Sequence, residues 1–202
     1  MMGYGSFGRI IAGLGLVAAA GCTSVSSNYT GEITKTTTKR VYVCHGYNCS
    51  YKTRLTLTER DGEIFREMFA YAATAADERG AISKAVQYFE DRAGGVIGVR
   101  DAAKSDLAGS RVKGQMDCID ESTNTRSLLL YLQERGLLKH HTVEWNRSRG
   151  LFVDGRYPHS TAMIRERGGT LWAVDSWYEP MGGAPDIMLY SEWRSRGVMG
   201  AR

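Results

Sequence analysis

No stretch of this sequence is apolar for long enough to cross a bilayer comfortably, no segment repeats, and no stripe gathers the basic residues. Those absences argue against a polytopic membrane protein, a repeat array and a surface for DNA or RNA. The formal net charge is a mild +4, from 26 basic and 22 acidic residues scattered along the chain. Cysteine and histidine are both scarce, at 4 each. His45 lies between Cys44 and Cys49, but no second ligand pair has finger-like spacing, so a zinc site is a poor fit.

The N-terminus carries a targeting pattern. One positive charge, Arg9, precedes the apolar run "IIAGLGLVAAAG", which ends on the small residues before Cys22. This resembles the lipobox of bacterial lipoproteins, whose chain is cut before the cysteine and lipidated on its sulfur. Ala19 stands where that motif usually has leucine. The alternative is an ordinary secretory signal with Cys22 incidental. The lipobox resemblance implies a signal peptide over 1–21 and a membrane anchor through Cys22. The Ser/Thr-rich stretch 22–40 then reads as a flexible tether. Thr23, not aspartate, follows Cys22, so the expected location is the outer membrane, facing the periplasm.

Residues 41–202 are enough for one domain with a proper core. In an oxidising compartment Cys44 and Cys49 of "VCHGYNCSY" are close enough to bridge across a Gly-Tyr-Asn turn. Cys118 is then the odd thiol, a liability unless it is buried or used.

Leu55 and Leu57 alternate with polar residues in "KTRLTLTER", a half-buried strand. Asp61-Gly62 reads as a turn into the helix "EIFREMFAYAATAADERG", with Phe65, Met68, Phe69, Ala72 and Ala76 on one face. Gly80 separates it from a second helix, "AISKAVQYFEDRAG", with Ile82, Val86 and Phe89 as its stripe; "GGVIG" stops that helix. Residues 99–113 read as polar and weakly helical. After Cys118 the pattern is strongly helical: Asp117 is the N-cap candidate, Asp120 completes a capping-box-like spacing, Leu128, Leu129 and Leu132 form the apolar side, and Gly136 ends it. Strand-like pieces follow: "HTVEWN", Gly-Leu-Phe-Val, "HSTAMIRE" and "TLWAVDSWY", the last two forming a hairpin. Helices then strands predict an α+β domain, an antiparallel sheet packed on the Cys118 helix.

A nucleophilic cysteine needs a stabilised thiolate, a base, and a group that orients the base. A helix N-terminus supplies part of the first. Gln115 is a candidate oxyanion donor. His159 opens one hairpin strand, and Asp175 sits in the apolar return strand, where a carboxylate is costly without a partner. If Arg167-Gly168-Gly169 forms a three-residue loop, Glu166 faces Thr170, His159 faces Trp177, and Asp175 is the diagonal neighbour of His159 on one face. A two-residue loop would put them on opposite faces.

The segments "MDCIDESTN", "PHSTAMI" and "LWAVDSWY" resemble the transglutaminase-like cysteine peptidases of Gram-negative bacteria, in the papain-like superfamily. The resemblance covers roughly 114–178. It implies Cys118 as nucleophile, His159 as general base and acid, and Asp175 as orienter of His159, with peptide or protein substrates in the cell envelope. In some of those relatives the acids around the cysteine bind calcium. Here Asp117, Asp120 and Glu121 are the candidates, but Ile119 replaces a glutamate usual in them, so no cofactor is expected. A monomer is expected, acting as an amide hydrolase. Amine acyl transfer would use the same residues, and a non-catalytic binding or scaffolding module is the alternative from another class. Burial of the thiol would favour that module; an open groove beside it would favour the enzyme.

Overall fold

The computed structural model describes residues 40–150 and 158–196. The chain opens with β1 (Arg40–His45) and β2 (Tyr51–Thr56), an antiparallel ribbon in which His45 faces Tyr51. Its turn is closed by a Cys44–Cys49 disulfide, Cα–Cα 4.6 Å. Two helices follow, α1 (Glu59–Phe69) and α2 (Ala75–Ile97), then a 3-10 turn over Leu107–Gly109 and helix α3 (Cys118–Glu134). Four strands, β3 (His141–Arg149), β4 (His159–Glu166), β5 (Leu171–Asp175) and β6 (Asp186–Leu189), make one antiparallel sheet in sequence order. A last short helix, α4, spans Tyr190–Ser195. The class is α+β, as the sequence implied.

Strand parity divides the sheet. Ala162 and Ile164 of β4 and Val174 of β5 join the main core with Leu128, Leu129 and Leu132 of α3, together with Phe65, Ile82, Phe89, Val43 and Leu55. Each fully buried leucine there contributes roughly 1.5–3 kcal/mol. Met163 and Ala173 point the other way and pack on Trp193 of α4. His159 and Asp175 have the parity of Met163 and Ala173, so they belong to the face that α4 covers. Helix α3 is wedged between the sheet and the β1–β2 ribbon and is buried along most of its length.

Several local readings need correction. Asp61-Gly62 is no turn: Thr58 caps α1, and Asp61 is its N3 residue in a capping box. Asp61 is buried, accepts from Tyr88 Oη at 2.6 Å and pairs with Arg92. Gly80 lies inside α2; the break falls earlier, where Thr74 and Asp77 form a second capping box. Ala72 is half-buried and Ala76 exposed, so the predicted stripe stops at Phe69. Gly94 and Gly95 are helical and Gly98 (φ 79°) ends α2; a Cβ on Gly94 would sit 2.9 Å from Met181 Sδ. Apart from the 3-10 turn, 99–113 is irregular. Strand β3 runs to Arg149, β5 stops at Asp175, and β1, β6 and α4 were not foreseen. Of the Gly-Leu-Phe-Val piece, 151–153 lie outside the described residues.

Candidate active site

The head of α3 is built as its residues dictate. Asp117 is the N-cap, its Oδ1 accepting from Ile119 N (3.1 Å) and Asp120 N (2.9 Å), while Asp120 Oδ2 accepts from Asp117 N (3.4 Å). Cys118 is therefore the first helical residue, and its side chain is buried, at 7% exposure.

The acids beside the thiol are not bare charges. Gly46, Tyr47, Asn48 and Cys49 all have left-handed φ (83°, 66°, 53°, 53°), which turns successive N–H groups toward one side. Tyr47 N donates to Asp120 Oδ2 (2.8 Å), Cys49 N to Asp120 Oδ1 (2.6 Å) and Asn48 N to Asp117 Oδ2 (3.0 Å). Asn124 pairs with the backbone of Cys44 in both directions, at 2.7 and 2.9 Å. Burial pushes Asp117 above the usual carboxylate range, and burial with the Asp117 charge pushes Asp120 well above it; the N–H donors act the other way. Behind them lie Glu121 (6% exposed), Asp101 and Glu90, all raised first by burial, Asp101 to about 6 and Glu90 to about 8.

The hairpin has the register that the pair requires. Ala162 faces Val174, and Glu166 N donates to Thr170 O at 2.8 Å, closing a three-residue loop with Gly169 at φ 95°. His159 Nε2 meets Asp175 Oδ2 at 2.7 Å, with both side chains at 2% exposure. Trp193 Nε1 donates to the same Oδ2 at 2.7 Å. With Nε2 as donor, the neutral imidazole carries its lone pair on Nδ1, which is buried and has no hydrogen-bond partner among the described residues. No local sequence signal marks this donor; the Trp193 indole N–H reaches Asp175 only because α4 lies across the sheet. Arg149 holds α4 there, donating to the carbonyls of Trp193 and Arg196 and to Tyr178 Oη.

The segment leading into α3 is tied to this end of the sheet through Trp177 and Ser105. The Trp177 ring lies 4.8 Å from the imidazole, its Nε1 donates to Ser105 Oγ at 2.6 Å, and Ser105 Oγ donates to Met116 O at 3.2 Å. On the other sheet face Thr125 Oγ1 and Ser176 Oγ are 3.2 Å apart.

The remaining candidates separate clearly. Gln115 is half-buried, with its carbonyl accepting from Gly46 N at 2.5 Å. His45 is structural: Gly114 N donates to its Nδ1 (3.2 Å), leaving Nε2 to donate to Thr53 Oγ1 (2.9 Å), and burial lowers its pKa. His141 is locked to buried Glu78 at 2.9 Å. A calcium ion fits Asp117 and Asp120 poorly, since all four of their carboxylate oxygens accept N–H groups. The sulfurs of Cys44 and Cys49 lie within 4.8 Å of a carboxylate oxygen of Asp120, but joined as a disulfide they are not thiolate ligands. Cys22 is outside the described residues, and among those described no helix is long and apolar enough to cross a membrane.

Comparisons with family models, curated proteins and solved structures give no match for this chain.

Proposed function

We propose that the protein is a thiol hydrolase of amide bonds, related to the transglutaminase-like cysteine peptidases and tethered to the outer membrane through a lipid on Cys22. The observation that carries the reading is the buried His159–Asp175 pair, oriented with Nδ1 left over, in a chain whose remaining thiol, Cys118, opens a helix. In the reaction, Nδ1 of His159 takes the Cys118 proton and the thiolate adds to the substrate carbonyl carbon. His159 returns the proton to the departing amine, leaving a thioester. Water, deprotonated by the same imidazole, then releases the acid and restores the thiol; an amine in its place would give acyl transfer. Asp175 orients the ring and stabilises its charged form.

The test is alkylation of the full chain in detergent across pH, read on the Cys118 peptide by mass spectrometry, beside His159→Ala. A thiol pKa below the ordinary value of about 8.5 that rises in His159→Ala supports the reading. One observation favours the alternative of a binding module: Cys118 is 7% exposed and His159 3%, so the thiol is sealed under side chains. Alkylation that is slow at every pH and indifferent to His159 would put that reading first.

A further inference from the structure

The turn between β1 and β2 is joined to the head of α3 more closely than packing requires. Six backbone groups on five residues of the ribbon are used on it and on the segment just before its cap: the N–H and carbonyl of Cys44 on Asn124, Gly46 N on Gln115 O, and Tyr47, Asn48 and Cys49 N on Asp117 and Asp120. Left-handed φ at three successive non-glycine residues is unfavourable, and the Cys44–Cys49 bridge spans those residues. Bridge, turn and carboxylates form one unit, buried at Cys44, Cys49 and Asp120.

We propose that this disulfide-closed turn is the positioning element of the Cys118 site, its backbone N–H groups neutralising Asp117 and Asp120 so that no bound cation is needed beside the thiolate. The inference rests on the reading of Cys118 as a nucleophile. Without the bridge the turn relaxes to right-handed or extended backbone, the N–H groups of Tyr47, Asn48 and Cys49 leave, and Asp117 and Asp120, which flank Cys118 in the sequence, keep only the donors of their own helix cap. Carboxylate charge with fewer donors next to the thiol disfavours the thiolate. The turn touches no substrate; it acts through Asp117 and Asp120 on the helix that presents Cys118.

The experiment follows alkylation of Cys118 against pH in the full chain, for wild type, Cys44→Ser/Cys49→Ser, Gly46→Ala, and each of the last two with Asp120→Asn added. Gly46→Ala keeps the bridge and disturbs the turn, because a Cβ there would collide with the Tyr51 ring; it covers the case in which the bridge-less protein fails to fold. Expected is about a tenfold slowing near pH 6.5 in both turn variants, a pKa increase of about one unit, with rates converging at high pH. Adding Asp120→Asn restores most of the loss, which general loosening of the fold would not do. A chelator leaves wild type unchanged. Profiles that coincide with wild type, a slowing that Asp120→Asn does not relieve, or slowing of wild type by a chelator each overturn the proposal. His159→Ala separates the two levels: a wild-type profile that ignores His159 overturns the hydrolase reading and this one together, whereas a His159-dependent profile indifferent to the turn overturns only this one.

Discussion

Asp175 Oδ2 accepts two strong donors, His159 Nε2 and Trp193 Nε1, in a region closed to solvent. A hydrogen bond to a charged group contributes about 1.5–3 kcal/mol, and leaving a buried carboxylate short of a donor costs a comparable amount. Trp193→Phe keeps most of the ring packing and removes only the N–H. The expected result is a melting temperature several degrees lower and a Cys118 thiol pKa moved toward its ordinary value, since a carboxylate less firmly held orients the imidazole less well. An alkylation profile identical to wild type, with the melting temperature lowered, would reduce Trp193 to packing. Asp175→Ala takes away both partners' acceptor and should match His159→Ala in alkylation to within a few-fold, because groups that act as a unit lose their effect together.

At the level of elements, the readable parts were those written in short-range periodicity. Parity and loop length were enough to put His159 and Asp175 on one face, because a strand alternates with a period of two and a three-residue loop preserves it. Asp117 and Asp120 were readable because a capping box is local. The same signal stands at Thr58–Asp61 and Thr74–Asp77 and marks both earlier helix starts, whereas Gly62 and Gly80, which mimic a turn and a break, lie inside helices. What was not readable depends on distant partners. Glu78, in the first turn of α2, looks like a surface acid but is fully buried. It accepts from the N–H groups of Lys139, His140 and His141 (2.6–3.1 Å) and pairs with His141 Nδ1, fastening α2 to the start of β3. Burial raises its pKa, but the His141 and backbone donors outweigh that and the net shift is downward. A carboxyl lowered on folding adds stability above its unfolded pKa that is lost as pH falls through the folded one. Glu78→Ala, which strands three N–H groups and a histidine, should cost about 3 kcal/mol by denaturant titration at pH 7. Glu78→Gln should cost less. Equal, small losses from both would mean that water replaces the carboxylate.

Across the whole molecule the carboxyls behind the thiol lean the opposite way. Glu90 on α2, Asp101 in the connecting loop and Glu121 on α3 come together beneath Ser176. Glu90 Oε2 accepts from Gly182 N (2.7 Å), Asp101 Oδ1 accepts from Met116 N (2.9 Å), and Glu121 Oε2 has no partner among the described residues. Glu90 and Glu121 line a cavity of about 10 Å³, room for a single water. Burial raises all three, and nearby carboxylates add to it: Asp101 on Glu90, Glu90 and Asp101 on Glu121, and Asp117 on Asp101. A carboxyl raised on folding binds its proton more tightly in the native state. Its contribution is therefore complete below the unfolded pKa of about 4 and is lost as pH rises, through about 6 for Asp101 and about 8 for Glu90. Between pH 5.5 and pH 8.5 the protein should lose stability, by on the order of 2 kcal/mol from Glu90 once solvent screening is allowed for. Glu90→Gln, neutral at every pH, should flatten that slope and hold the urea midpoint at pH 8.5 nearer its pH 5.5 value. A wild-type midpoint that stays level or rises over this interval would mean that the three groups ionise without penalty, and that the interior beside Cys118 is wetter than its packing implies.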